Sequence, residues 1–234
     1  MKALNKYLKD GFRDSLPSQS PFVTFEASIH YYHHKIARDN LLSLLPCSKL
    51  IWILRNPLPR AISEYLHQAV KSKSYPSFEE LLWAELSAIK RCKKERDLGL
   101  DEGFDNGLFK CLAKFKLRKF MLSTAFYGYF INGWIQRFPR EQHFFINYDD
   151  YRRDPQRTVE NISVFLGLDP PPMLNFTWEY NKANTRDGVA KRKRAAIALS
   201  SSMRSALLNE IPPFVNKIFE IIEYDYNWAV DSLV

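Results

Sequence analysis

The chain reads as an α/β domain built on a mainly parallel sheet. Two features predict this. Short apolar runs of strand length alternate with longer stretches of helical apolar spacing, and polar turns join them. The 234 residues, 46% hydrophobic and 15% aromatic, supply ample material for one core and far too much for a disordered chain. No linker divides them, so one domain is expected.

The elements follow in order. Residues 21–26 have the pattern of a short buried strand ending on an acidic residue. Residues 34–45 place Ile36, Leu41, Leu44 and Leu45 at helical spacing and stop before Pro46. Residues 49–54 are a continuous apolar run, which predicts a strand covered on both faces. Arg55-Asn-Pro-Leu-Pro59 breaks it, and helical spacing resumes over 60–70. A helix is expected over 78–89, a charged, Gly-bearing loop open to movement over 90–107, and a long aromatic-rich helix over 120–138. Residues 143–148 form the next strand. Residues 155–166 are an amphipathic helix capped by Gly167, and 200–222 are helical around a break at Pro212-Pro213.

The 34 Lys+Arg and 26 Asp+Glu leave a net charge of +8, which points to an anionic partner. Nucleic acid, anionic glycan, a phosphate-bearing cofactor and a membrane surface all satisfy charge alone. No run approaches the roughly 18–20 apolar residues of a membrane span, and no leader pattern follows Met1, so neither is expected in this chain. Only 8 Gly and 3 Cys exclude collagen-like and disulfide-scaffold classes. Cys92 and Cys111 flank the 90–107 region. They would pair in an oxidising lumen and remain two thiols in a reducing compartment.

The most informative stretch runs from Leu50 to His67. Arg55 leaves the C-terminal end of a buried strand, where open α/β sheets bind ligands. Ser63 follows eight residues later, expected in the first turn or so of the next helix. Its hydroxyl, nearby free backbone N–H groups and the planar Arg55 fork could together hold an oxyanion. The alternative is that Arg55 pairs with a surface carboxylate and Ser63 faces solvent, and spacing alone leaves the two level.

Ile53-Leu-Arg-Asn-Pro57 followed by Arg60-Ala-Ile-Ser-Glu-Tyr-Leu-His67 resembles the 3′-phosphate-binding signature of sulfotransferases that use 3′-phosphoadenylyl sulfate (PAPS). The resemblance implies that Arg55 and Ser63 bind the nucleotide 3′-phosphate. Phe25-Glu-Ala-Ser28, with Tyr31 close behind, resembles the Glu-containing strand end of Golgi carbohydrate sulfotransferases, which implies Glu26 as the catalytic base. Phe138-Pro-Arg-Glu-Gln142, Tyr148-Asp-Asp-Tyr151, Asp154-Pro155 and Phe165-Leu-Gly-Leu168 resemble later stretches of the same family in order. The nearest branch acts on N-acetylgalactosamine 4-sulfate at O6. The resemblance runs from residue 21 to the C-terminus and weakens after 175. It implies a P-loop-like three-layer domain over 21–234, after a polar segment over 1–20, with PAPS as co-substrate and no metal.

The chemistry suits Glu26 independently, because a sugar hydroxyl attacking sulfur benefits from a carboxylate that accepts its proton. A lone Glu at a strand end is otherwise usually a cap or ion-pair partner. His30 is the rival base, since some cytosolic sulfotransferases use a histidine. His33, His34 and His67 are read as packing or surface residues, and no spacing suggests zinc. The basic stretches 182–186 and 191–194 fit contact with the nucleotide or an anionic glycan, with Arg186 and Lys191 as the candidates. A nucleic-acid or localisation patch and a solvated loop are the competing uses. No nucleic-acid motif accompanies them, so the expected partner is an anionic glycan acceptor.

The family's other nucleotide element is a Gly/Ser/Thr-rich turn with a Lys, following the first strand, which cradles the 5′-phosphosulfate. Residues 1–48 contain no such turn. The sheet is therefore expected to lack its first, central strand and loop, as in a truncated product or a divergent paralogue. Weak PAPS binding and slow turnover would follow. The alternative function is an impaired sulfotransferase-like module that binds anionic glycan or nucleotide. For a full-length member the resemblance implies the Golgi lumen.

Overall fold

The computed structural model describes residues 25–28, 31–69, 74–95, 107–117, 119–169, 171–173, 197 and 199–228. The chain divides into two compact units, Met1–His30 and Tyr31–Val234, each described by itself. In the first, residues 25–28 carry no regular structure and Phe25 is 85% exposed. The strand expected to end at Glu26 is thus absent where it can be seen. Nothing buries the Phe25 side chain, so no packing holds an extended segment there.

The second unit begins with helix α1 (Lys35–Leu44), strand β1 (Leu50–Leu54) and helix α2 (Pro57–Ala69). Helices α3 (Phe78–Glu95), α4 (Gly107–Leu112) and α5 (Tyr127–Ile135) precede strand β2 (His143–Asn147). Helices α6 (Tyr148–Arg153), α7 (Pro155–Leu166), α8 (Ser201–Glu210) and α9 (Pro212–Ile222) complete it. β1 and β2 pair in parallel, from Leu50 opposite His143 to Leu54 opposite Asn147. Among the described residues no strand lies between or beyond them. The α/β class expected from the strand–helix alternation is the class observed.

One face of this sheet carries the core. Trp52, His143 and Phe145 lie with their rings nearly parallel, each pair 5.9–6.1 Å apart between centroids, and Trp52 meets Trp134 edge-on. The opposite face is only partly covered, because α7 reaches β2 through Phe165 stacked on Phe144. Ile51 and Ile53 on β1 stay 40% and 56% exposed. That corrects the expectation of a strand buried on both sides: the apolar run was right, its second cover was not.

Behind the sheet, α5 packs on α9. A Cβ on Gly128 would come within 2.9 Å of backbone atoms of Lys217 and Ile218, so glycine there sets the helix separation. Phe126 stacks on Phe214 at 4.4 Å beside it. The long helix expected over 120–138 is shorter than its pattern. Buried Glu85 on α3 accepts the backbone N–H groups of Met121, Leu122 and Ser123, and the Ser123 hydroxyl, at 2.6–2.9 Å. Those amides serve a side chain instead of a helix ladder, so only a 3₁₀ turn (Ser123–Ala125) and α5 form.

Two further boundaries moved. α3 continues to Glu95, turning the first part of the expected 90–107 loop into helix; residues 96–106 lie outside the described set. Cys92 and Cys111 therefore sit on α3 and α4, and a disulfide joins them across 19 residues of sequence. α2 starts at Pro57 instead of Arg60, because a first-turn proline gives up only an N–H that a helix start cannot use.

Candidate functional site

The turn after β1 is fixed from both sides. Asn56 is buried, and its Oδ1 accepts the Leu58 N–H at 3.2 Å while its carbonyl accepts the Arg60 N–H at 3.1 Å. Pro57 and Pro59 have no N–H to offer. The first turn of α2 therefore has no free backbone donors, which corrects the expectation that such groups would help receive an anion there.

Arg55 is held by a tyrosine at each end. Its backbone N–H donates to the Tyr127 hydroxyl at 3.4 Å, and that hydroxyl donates to the Arg55 carbonyl at 3.1 Å. Burial pushes the Tyr127 phenol up, so it stays neutral and can serve both roles. The Arg55 guanidinium lies over the Tyr148 ring, 4.8 Å from its centroid, an attraction of about 0.5–2 kcal/mol depending on desolvation. Its Nε is buried without a hydrogen-bond partner, and no ion pair engages the residue among the described residues. The surface-carboxylate alternative is thereby set aside. An oriented guanidinium whose buried Nε has no partner suits a phosphate-type oxyanion.

Ser63 is exposed and is the seventh residue of α2, two turns in, past the first turn where it was expected. No hydrogen bond joins it to Arg55, so an anion shared by both would have to bridge them. His67 is exposed on the last turn of the same helix, while His33 is buried. Glu26 is exposed in the first unit, so the two units leave its placement against Arg55 outside the description. His30, Arg186 and Lys191 lie outside the described residues.

Asn56, Tyr127 and Tyr148 were not singled out from the sequence as contributors to the site. Tyr148 has a signal in retrospect, an aromatic directly after a parallel strand, at the end where ligands bind. Tyr127 has none, because its contact spans 72 residues. Beside the turn, at the C-terminal ends of both strands, lies a polar cavity of about 390 Å³ lined in part by Asn56, Asn147, Asp149, Asp225 and Trp228. Among the described residues no group of three or more His, Cys, Asp or Glu could hold a metal ion, and no helix is long and apolar enough to cross a membrane.

Arg55 thus stands at the end of a parallel strand, stacked on an aromatic ring, in a domain of the α/β class. The family model described as "Sulfotransferase domain" matches residues 28–204, and the chain belongs to that family. Among curated relatives it is 27% identical over 164 residues to the bifunctional heparan sulfate N-deacetylase/N-sulfotransferase 1 of Caenorhabditis briggsae, covering 69% of this chain and 17% of the relative. It is 26% identical over 138 residues to mouse (Mus musculus) carbohydrate sulfotransferase 15, covering 58% and 23% respectively. It is 22% identical over 230 residues to mouse heparan sulfate glucosamine 3-O-sulfotransferase 3B1, covering 93% and 53%. The chain thus spans between about a sixth and about a half of the length of these relatives. A sulfotransferase from Alicyclobacillus acidocaldarius shares the fold, with TM-score 0.57 and 19% identity over 86% of this chain and 65% of that one.

Proposed function

We propose that this chain transfers a sulfuryl group from PAPS to a hydroxyl of a carbohydrate acceptor of glycosaminoglycan type. The acceptor oxygen forms a bond to sulfur, and the bond from sulfur to the bridging oxygen breaks. 3′-Phosphoadenosine 5′-phosphate (PAP) leaves with that oxygen, and the hydroxyl proton passes to Glu26. Arg55 and Ser63 take the 3′-phosphate, with Arg186 and Lys191 as further contacts to nucleotide or acceptor. The observation that carries this reading is the buried, unpartnered Nε of Arg55 on its Tyr148 platform, in a chain of the sulfotransferase family. The disulfide between Cys92 and Cys111 supports an oxidising compartment such as the Golgi lumen.

The test is sulfate transfer from labelled PAPS to a panel of glycosaminoglycan chains, with PAP binding followed by calorimetry. Arg55→Ala should weaken PAP binding by about tenfold or more, given about 1.5–3 kcal/mol for a hydrogen bond to a charged group. Glu26→Gln should keep PAP binding and lose about 10²–10⁴ in turnover. Full activity in both variants would refute the assignment. A second reading, an impaired module that binds anionic glycan or nucleotide, is favoured by the absence of free N–H donors at the start of α2. Arg55-dependent PAP binding with no transfer would select it.

A further inference from the structure

The cavity at the strand ends is rimmed by exposed Asp149, Asp150, Arg153, Tyr224 and Asp225, and its floor offers two donors that no protein group uses. Asn56 and Asn147 line it and are only 6% and 8% exposed. Each carboxamide oxygen is already engaged: Asn56 Oδ1 by the Leu58 N–H, Asn147 Oδ1 by the Asp149 N–H and the Trp228 indole N–H at 3.3 Å. Those bonds orient both side chains with oxygen toward the protein. Neither Nδ2 donates to any group among the described residues, although both sit in a wall that a ligand can reach. Both amide groups are therefore free to donate to a ligand in place of water.

The other walls offer the complement. Asp149 and Asp225 bring carboxylates without ion pairs among the described residues, while Asp150 is engaged by Arg153 at 3.0 Å. Trp228 adds an indole ring, with its N–H already committed to Asn147. The lining carries three carboxylates, Asp149, Asp150 and Asp225, against one guanidinium, Arg153, so an anion would meet net negative charge, and a cation would face two amide N–H groups that it cannot satisfy. A polyol meets both demands, because each hydroxyl can accept from an Asn Nδ2 and donate to a carboxylate. Its C–H face can pack on the ring of Tyr224, which lines the cavity and is 62% exposed. The volume lies within the range of about 300–1,000 Å³ usual for small-molecule sites.

We infer that this cavity is a subsite for an uncharged sugar ring. The inference rests on the carbohydrate reading above and deepens it: sulfated or carboxylated units of an acceptor must lie outside the cavity, with a neutral unit inside.

The experiment titrates the wild-type chain with N-acetylgalactosamine, its 4-sulfate and adenosine, following the Trp228 indole N–H resonance. A saturable shift is expected with N-acetylgalactosamine, and about tenfold weaker binding with its 4-sulfate, whose charge the lining carboxylates repel. Asp149→Asn combined with Asp225→Asn should weaken N-acetylgalactosamine binding and narrow the discrimination against the sulfate. No shift with the neutral sugar, equal binding of its sulfate, or displacement by adenosine would each overturn the inference. The ligand series on wild type decides even if the double variant does not fold. Loss of PAP binding or transfer alone would strike the function proposed above and leave the sugar subsite standing.

Discussion

The hydroxyl of Tyr127 bonds both the carbonyl and the amide N–H of Arg55, at 3.1 and 3.4 Å, across 72 residues of sequence. Helix α5 thereby fixes the main chain at the point where β1 ends. Tyr127→Phe leaves the ring packed and removes only those two bonds, and should cost about 1–2 kcal/mol of stability. If Arg55 holds the nucleotide, PAP affinity should also fall by about threefold to tenfold, roughly 1 kcal/mol. Urea denaturation and PAP calorimetry read the two effects. An unchanged PAP affinity in a destabilised variant would show that the clamp serves the fold alone.

The disulfide between Cys92 and Cys111 ties α3 to α4 across a 19-residue separation. In the chain-entropy account, a loop of this size stabilises by about 3 kcal/mol through restriction of the unfolded chain. Replacing both residues with Ser should lower the urea midpoint accordingly. Reductant should lower the wild-type midpoint by the same amount and leave the double variant unmoved. Equal midpoints for wild type with and without reductant would contradict it.

Where local pattern and packing agreed, the sequence was readable to within a residue. The expected helices over 34–45 and 155–166 appear as Lys35–Leu44 and Pro155–Leu166, the latter closed by Gly167 at φ 74°. The strands over 49–54 and 143–148 appear as Leu50–Leu54 and His143–Asn147. Tyr148 moved from strand to helix because the Asn147 side chain caps the following turn through the Asp149 N–H. What could not be read was long-range. Glu85 takes the amides of residues 121–123 from 36 to 38 positions away, and no window centred on residue 120 contains it. The site divides in the same manner: Arg55 was legible from its place at a strand end, while Tyr127 and Tyr148 emerged only once the chain was folded around it.

Glu85 makes its own prediction. Its two oxygens accept four hydrogen bonds in a fully buried setting. Gln keeps the shape but turns one acceptor into a donor facing donors, leaving at least one backbone N–H unsatisfied. Glu85→Gln should therefore destabilise by about 2–4 kcal/mol, with the 3₁₀ turn over Ser123–Ala125 losing hydrogen-exchange protection first. A neutral effect would mean that the turn holds without its carboxylate. Burial pushes the Glu85 carboxyl up, with the donors pulling it back.

His143 sets a pH dependence. Its Nδ1 accepts the Trp52 indole N–H at 3.0 Å, and its Nε2 lies 3.2 Å from the Phe138 carbonyl. The imidazole is therefore neutral, with its proton on Nε2. Burial pushes its pKa below the ordinary histidine value, the Phe138 carbonyl pulls it back up, and Arg140 adds to the depression. Charging the ring would aim a second N–H at the indole donor. As pH falls through about 6.5, the unfolded chain takes up the proton before the folded one does. Stability from this group is thus full above that pH and is lost on acidification toward the folded value. His143→Gln removes the titration, while the slopes due to other groups remain in both proteins and cancel from their difference. Urea midpoints measured from pH 8 to pH 5 should run parallel above about 6.5 and diverge below it, with wild type falling faster. Parallel curves throughout would show that His143 takes up its proton equally in the folded and unfolded chain.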